Sequence, residues 1–173
     1  MPHPILSTSL PGRQRGLTLI ESLVSLALLA SLSTWSLPGL QTWVLRTRLE
    51  TAREAWLNDL QTARAQALQS GAEISLTRRT DCPWLGDSHD WSCGWQLTRT
   101  DAAMPLAITA LGGHVQVQFS GGDRLRINSR GEPLSAGANM KFRVPNAADG
   151  SLASIVCLNI AGRLHVQNGE TCA

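Results

Sequence analysis

Four common signatures of catalysis or cofactor binding are missing from this chain: it has no C-x-x-C pair, no H-E-x-x-H, no G-x-S-x-G and no glycine-rich phosphate loop. These absences argue in turn against a cysteine zinc site, a zinc hydrolase helix, a serine nucleophile elbow and a nucleotide cradle. Internal repeats and low-complexity linkers are absent too. Charge is missing from one stretch in particular. Between Leu17 and Leu37 the only ionisable side chain is Glu21, and ten of these residues are Leu, Ile or Val. No acid occurs among residues 1–16, where Arg13 and Arg15 sit just ahead of the apolar run.

As a helix, residues 17–37 would be about 30 Å long, enough to cross a hydrocarbon core. The run is too long for a signal-peptide core, and Pro38-Gly39 follows it without a small-residue cleavage site, so an uncut anchor fits better. Basic residues before it predict a cytoplasmic N-terminus and a domain outside the cytoplasm, with Trp35 and Trp43 near the outer interface. Glu21 is then the anomaly. A carboxylate at mid-bilayer costs roughly 2.5–3.5 kcal/mol, so it needs a partner, or must snorkel to the interface from its place near the helix start.

Cys82, Cys93, Cys157 and Cys172 allow three pairings. An oxidising compartment suits them. Nearest-neighbour pairing would close two short loops, each worth about 3 kcal/mol in the chain-entropy account.

Beyond Pro38 the pattern becomes amphipathic. Leu45, Leu49, Ala52, Trp56, Leu60, Ala63 and Ala67 recur at three- and four-residue steps, which predicts a helix stripe ending at Ser70-Gly71. One helix from Leu17 to Ser70, bent near Pro38, is expected. After Gly71 the period shortens to two in "AEISLTRR", "GWQLTRT", "HVQVQFS", "RLRINS", "MKFRVP", "SIVCLNI" and "RLHVQN", with "SGGDR", "NSRGEP" and "PNAADG" as turns. The expected fold is α+β: a long N-terminal helix packed on a C-terminal antiparallel β-sheet.

The stretch "RGLTLIES" followed by an apolar helix resembles the class III signal of type IV pilins and type II secretion pseudopilins. The resemblance implies that a prepilin peptidase cuts after Gly16, that Leu17 is N-methylated, and that Glu21, fifth from the cut, faces the N-terminal amine of a neighbouring subunit during assembly. Leu17 departs from the family's usual phenylalanine. It also implies an organisation of leader 1–16, transmembrane and filament-core helix 17–37, amphipathic continuation 38–70 and periplasmic two-disulfide domain 71–173. The location implied is the bacterial inner membrane, single-pass, and then the filament. Without Arg13 and Arg15 the remaining basic and acidic side chains balance.

The closing segment "CLNIAGRLHVQNGETC" resembles the GspH/FimT group of minor pilins and pseudopilins, some of which bind DNA in natural transformation. Gly162, Arg163 and Leu164 match that group's Gly-Arg-x-Arg sequence, and His165 stands where the second arginine would be. Together with Arg124, Arg126, Lys141 and Arg143, these residues form the candidate basic patch of a DNA-binding alternative. The first reading remains a structural subunit whose partners are the peptidase, other pilins and the membrane. No enzyme activity, cofactor or metal is expected. Asp87, His89 and Asp90 in "DCPWLGDSHDWSCGW" are read as a disulfide-closed surface loop rather than metal ligands, and an exposed tryptophan there would suit a protein contact.

Overall fold

The computed structural model describes residues 18–135, 137–145, 147, 152–159 and 162–172, with side chains at all of these positions except 32–38. Helix α1 spans Leu19–Ser70. Thr18 precedes it, and its hydroxyl accepts a bond from the Glu21 N–H at 3.3 Å, as an N-cap does. At the other end Gly71 takes the left-handed conformation, φ +66°, and its N–H closes onto the Ala67 carbonyl at 2.9 Å. The chain divides into two units, one ending at Leu40 and the other Gln41–Ala173.

In the first unit the apolar side chains Leu19, Ile20, Leu23, Val24, Leu26, Leu28 and Leu29 are all exposed. Among the described residues no helix is long and apolar enough to cross a membrane. Leu17 and the side chains of residues 32–37, parts of the expected span and including the Trp35 ring, lie outside what is described, as does the Pro38 ring expected to bend the helix.

In the second unit the predicted stripe is the core face of α1. Leu49, Ala52, Trp56, Leu60, Ala63 and Ala67 are buried, with Leu45 packed at the margin. Trp56 is its centre: it meets Trp91 and Trp95 edge-on at 5.4 and 5.2 Å. Rings at these distances contribute about 0.5–1.5 kcal/mol per pair beyond their burial.

Eight strands follow: β1 Ile74–Arg78, β2 Gly94–Arg99, β3 Ala107–Ala110, β4 Gln116–Phe119, β5 Arg124–Ile127, β6 Asn139–Arg143, β7 Ala153–Leu158 and β8 Leu164–Asn168. They form two antiparallel sheets, ordered β3-β2-β1-β5 and β4-β6-β7-β8, where a single sheet was expected. The chain leaves the first sheet after β3, starts the second with β4, and returns so that β5 pairs with β1, Leu76 opposite Leu125. Alternation marks which side of a strand is apolar, not which strand it pairs with. β3, in "LAITAL", was also not anticipated; it is a four-residue edge strand whose Ile108 faces solvent.

Both nearest-neighbour disulfides are present, Cys82–Cys93 and Cys157–Cys172, with Cα separations of 5.8 and 6.0 Å. The second lies on the side of the sheet that carries a buried apolar residue outside the core. Ile155 is fully buried, yet its register opposite Lys141 puts it on the outward face of the second sheet, away from the core. The segment after β8 turns back toward that face. Gly169 N–H bonds the Ala153 carbonyl at 3.0 Å, Gly169 and Glu170 lie beside Lys141 and Arg143, and Cys172 is tied to Cys157.

Candidate functional site

Gly16 and Leu17, the expected cleavage and methylation positions, lie outside the described residues. Glu21 is described. It is exposed in the first turn of α1, where a carboxylate also suits the positive end of the helix dipole.

The loop Asp81–Trp95 is closed by Cys82–Cys93 and largely exposed through His89, as expected, but its second part is not a surface segment. Asp90, Trp91 and Ser92 are buried because residues 89–92 run along the free edge of β4. Phe119 N–H bonds the His89 carbonyl at 2.9 Å, Trp91 N–H bonds the Val117 carbonyl at 2.8 Å, and the Ser92 hydroxyl accepts from Val117 N–H at 3.0 Å. Two residues later the same chain enters β2 of the other sheet, so the loop stitches the two sheets together. The acids organise it. Asp90 accepts from the Gly86 and Ser92 N–H groups at 2.7 and 2.9 Å, and Asp87 accepts from His89 N–H at 2.9 Å. Among the described residues no cluster of metal-ligating side chains forms. Trp91 and Trp95 are core residues; Trp84 is the half-exposed one, lying over Gly113.

One half-buried polar contact gave no signal in the sequence. Asp59 on α1 accepts the Trp95 indole N–H at 2.8 Å and the Thr109 hydroxyl at 2.5 Å, fastening the helix to β2 and β3. Such a partner lets the polar edge of an indole sit in a core.

The candidate basic residues do not converge on one surface. Arg124 and Arg126 are on β5 of the first sheet, with Arg126 3.8 Å from Glu73. Lys141 and Arg143 are on β6 of the second sheet, where Arg143 bonds the Gln116 amide. His165 lies opposite Cys157 and so shares the outward face of Lys141 and Arg143. Arg163 is exposed just before β8, its N–H held by Asn159 at 2.8 Å. Gly162 beside it adopts φ +75°, and a Cβ there would lie 3.1 Å from Pro133. The Gly162 carbonyl accepts from Arg64 of α1, whose pKa is lowered by burial. The glycine of this motif is therefore structural, holding the start of β8 to the helix.

A groove of about 300 Å³ also escaped sequence reasoning. One wall is α1, with Thr47, Arg48, Thr51, Ala52 and Ala55; the other is the chain from Thr109 to Val115.

A helix preceded by a prepilin-type N-terminus and followed by two antiparallel sheets defines a subunit of the type IV pilin class. The chain belongs to the GspH family: the profile described as "Type II transport protein GspH" matches residues 52–162, and the prokaryotic N-terminal methylation motif matches residues 11–37. Two crystal structures of the type IV minor pilin FimU from Pseudomonas aeruginosa share its fold at 19% identity. Their TM-scores are 0.57 and 0.54, covering 70% and 68% of this chain and 90% and 91% of theirs. The minor pseudopilin EpsH of the Vibrio cholerae type 2 secretion system aligns at 16% identity and a TM-score of 0.49, over 70% of this chain and 97% of its own. No curated protein matches the chain. The protein is a minor pilin or pseudopilin, a structural subunit of a type IV pilus or type II secretion pseudopilus. Its class implies contact with other pilins, processing by a prepilin peptidase and a membrane-anchored origin.

Proposed function

We propose that the protein is a scaffold subunit without catalytic activity, cut after Gly16 and methylated on Leu17. Residues 17–37 anchor it in the inner membrane, N-terminus cytoplasmic and domain 71–173 periplasmic, and then join the filament core beside other pilins. Glu21 aligns the subunit by facing the N-terminal amine of a neighbour. An acid in lipid is costly when alone and becomes a registration device when paired.

The observation that carries this reading is the methylation motif over residues 11–37, which contains Gly16, Leu17 and Glu21 together. Expression with and without a prepilin peptidase, followed by N-terminal mass analysis, tests it. Cleavage between Gly16 and Leu17 is expected, and Gly16→Val should stay uncut; cleavage elsewhere overturns the reading. Glu21→Ala should be cut normally yet enter filaments poorly. Normal incorporation of that variant removes the alignment role.

The DNA-binding alternative draws support from Lys141, Arg143 and His165 on one face, with Arg163 two residues before His165; Arg124 and Arg126 belong to the other sheet. If it holds, duplex DNA binds without sequence preference and more weakly as salt rises, and Arg163→Ala reduces binding. No binding at low salt leaves the scaffold role alone.

A further inference from the structure

One asparagine of this chain is followed directly by glycine: Asn168, at the end of β8, with Gly169 after it. This is the most reactive setting for an asparagine, because glycine carries no side chain to shield its nitrogen from the neighbouring amide. The Gly169 nitrogen attacks Cγ of Asn168 and a new N–C bond forms. The C–N bond of the side-chain amide breaks, and ammonia leaves with the proton of the attacking nitrogen. Water then opens the succinimide at either carbonyl, to aspartate or isoaspartate. The net change is loss of ammonia and gain of water, and no oxidant or cofactor takes part.

The fold keeps that nitrogen occupied. Asn168 is exposed, so water reaches its amide, yet it is paired in β8 opposite Ser154. The Gly169 N–H is donated to the Ala153 carbonyl of β7 at 3.0 Å. While that bond lasts, the nitrogen is turned to β7 and not to the side chain of Asn168. β8 is the edge of its sheet, bonded on one side only, and the end of such a strand opens readily unless something ties it down. The tie is Cys172, shortly after Gly169, bridged to Cys157 of the same strand β7. Gly169 lies between the two attachments at φ +113°, a conformation that suits glycine.

We propose that Asn168-Gly169 is a latent deamidation site, shut in the folded chain by the Gly169–Ala153 hydrogen bond and released when the Cys157–Cys172 bridge is open. A chain left unbridged is then marked irreversibly at residue 168, and a bridged chain is spared. The mark also works against later bridging, because isoaspartate inserts an extra main-chain carbon between β8 and Cys172.

The test is timed mass analysis of the full chain, purified in detergent and held at mildly alkaline pH below its melting temperature. Trypsin releases residues 164–173, in which Asn168 is the only asparagine. The amide-to-acid mass gain of that peptide, with its isoaspartyl form resolved by chromatography, reads the reaction. Bridged wild type should convert little, and a chain with Cys157→Ser and Cys172→Ser should convert at least several-fold faster. A folded chain with Cys82→Ser and Cys93→Ser should behave as wild type. Asn168→Gln in the unbridged chain should abolish the gain, since the longer side chain closes its ring far more slowly. A further variant, with two glycines inserted between Glu170 and Thr171, keeps the bridge but slackens the tie and should also speed conversion. If circular dichroism finds the unbridged chain unfolded, the slackened chain decides: a rate above wild type supports the gate, and an equal rate overturns it. The proposal is also overturned by a wild type that converts as fast as the unbridged chain, by a folded unbridged chain that stays unconverted, by equal conversion in the folded Cys82 and Cys93 variant, or by a gain that survives Asn168→Gln.

Discussion

Helix α1 carries two apolar segments with opposite fates. From Leu19 to Leu29 its leucines, isoleucine and valine are exposed; from Leu49 to Ala67 the apolar side chains are buried against the chain's own sheets. The second segment places apolar residues on one stripe and arginines and acids elsewhere. The first is apolar nearly all round, too broad for one folding partner to cover. A helix apolar on every side belongs in a core or a membrane, whereas a one-sided helix belongs on a domain surface. Among the described residues the first segment's side chains are left exposed, while the second is covered by the chain's own sheets.

The sharpest way to break this comparison is to truncate one residue in each segment. Trp56→Ala removes a buried ring held among Trp91, Trp95 and Phe119, and should destabilise the domain by about 3–5 kcal/mol in chemical denaturation. Leu23→Ala should leave domain unfolding unchanged and affect only membrane retention or assembly. Equal losses would mean that the first segment also folds onto the domain.

Cysteine chemistry gives the next effect. The Cys157–Cys172 bridge closes a loop of sequence separation 15, so Cys172→Ser should cost about 3 kcal/mol. If the returning C-terminal segment is what keeps Ile155 buried on the outward face, the same variant should also raise amide exchange there. Unaltered exchange there would mean that the bridge does not hold the cover in place.

A smaller effect is expected at the half-buried polar contact. Asp59→Ala leaves the Trp95 indole and the Thr109 hydroxyl without their acceptor and should cost about 1–3 kcal/mol, read as a lowered melting temperature. A double variant with Trp95→Phe should recover part of the loss, because one stranded donor is then gone.

The smallest is a pH effect in the "NSRGEP" turn. Bonds first from Asn128 and then from Arg130 hold the Glu132 carboxyl below its ordinary 4.5. Because the folded value is the lower one, this contribution is complete above the ordinary value and is lost as pH falls through the folded one. Glu132→Gln should therefore lower the melting temperature slightly at neutral pH, and the difference should shrink as pH falls below 4.5. A gap that persists in acid would assign the effect to shape rather than charge.

Much of the fold was legible where local physics decides it. The core stripe of α1 followed from three- and four-residue spacing, its end from Ser70-Gly71, and seven strands from alternation and turns. β3 was not, because four residues at an edge, with Ile108 outward, do not make a period-two pattern against the surrounding apolar residues. The tryptophan-rich loop was legible only in part. Asp87 and His89 are exposed in a disulfide-closed loop, as their polarity suggested, but Asp90 is buried because residues 89–92 supply the hydrogen bonds that the edge of β4 lacks.

Covalent and one-dimensional properties were set by the sequence alone: the prepilin-type N-terminus, the single acid in an apolar run, the helical and strand periods, and cysteines close enough to pair in short loops. These depend on neighbours along the chain, where residue order fixes distance. Only the tertiary structure decided what lies between distant segments. It divided the strands into two sheets by returning β5 to β1, gave the Trp95 indole to Asp59, and separated the basic residues onto different sheets. Strands with the same alternating pattern satisfy the same hydrogen bonds with several partners. The choice among them falls to the packing of side chains such as Trp56, Trp91 and Phe119, far apart in the chain, which have to fill one volume together.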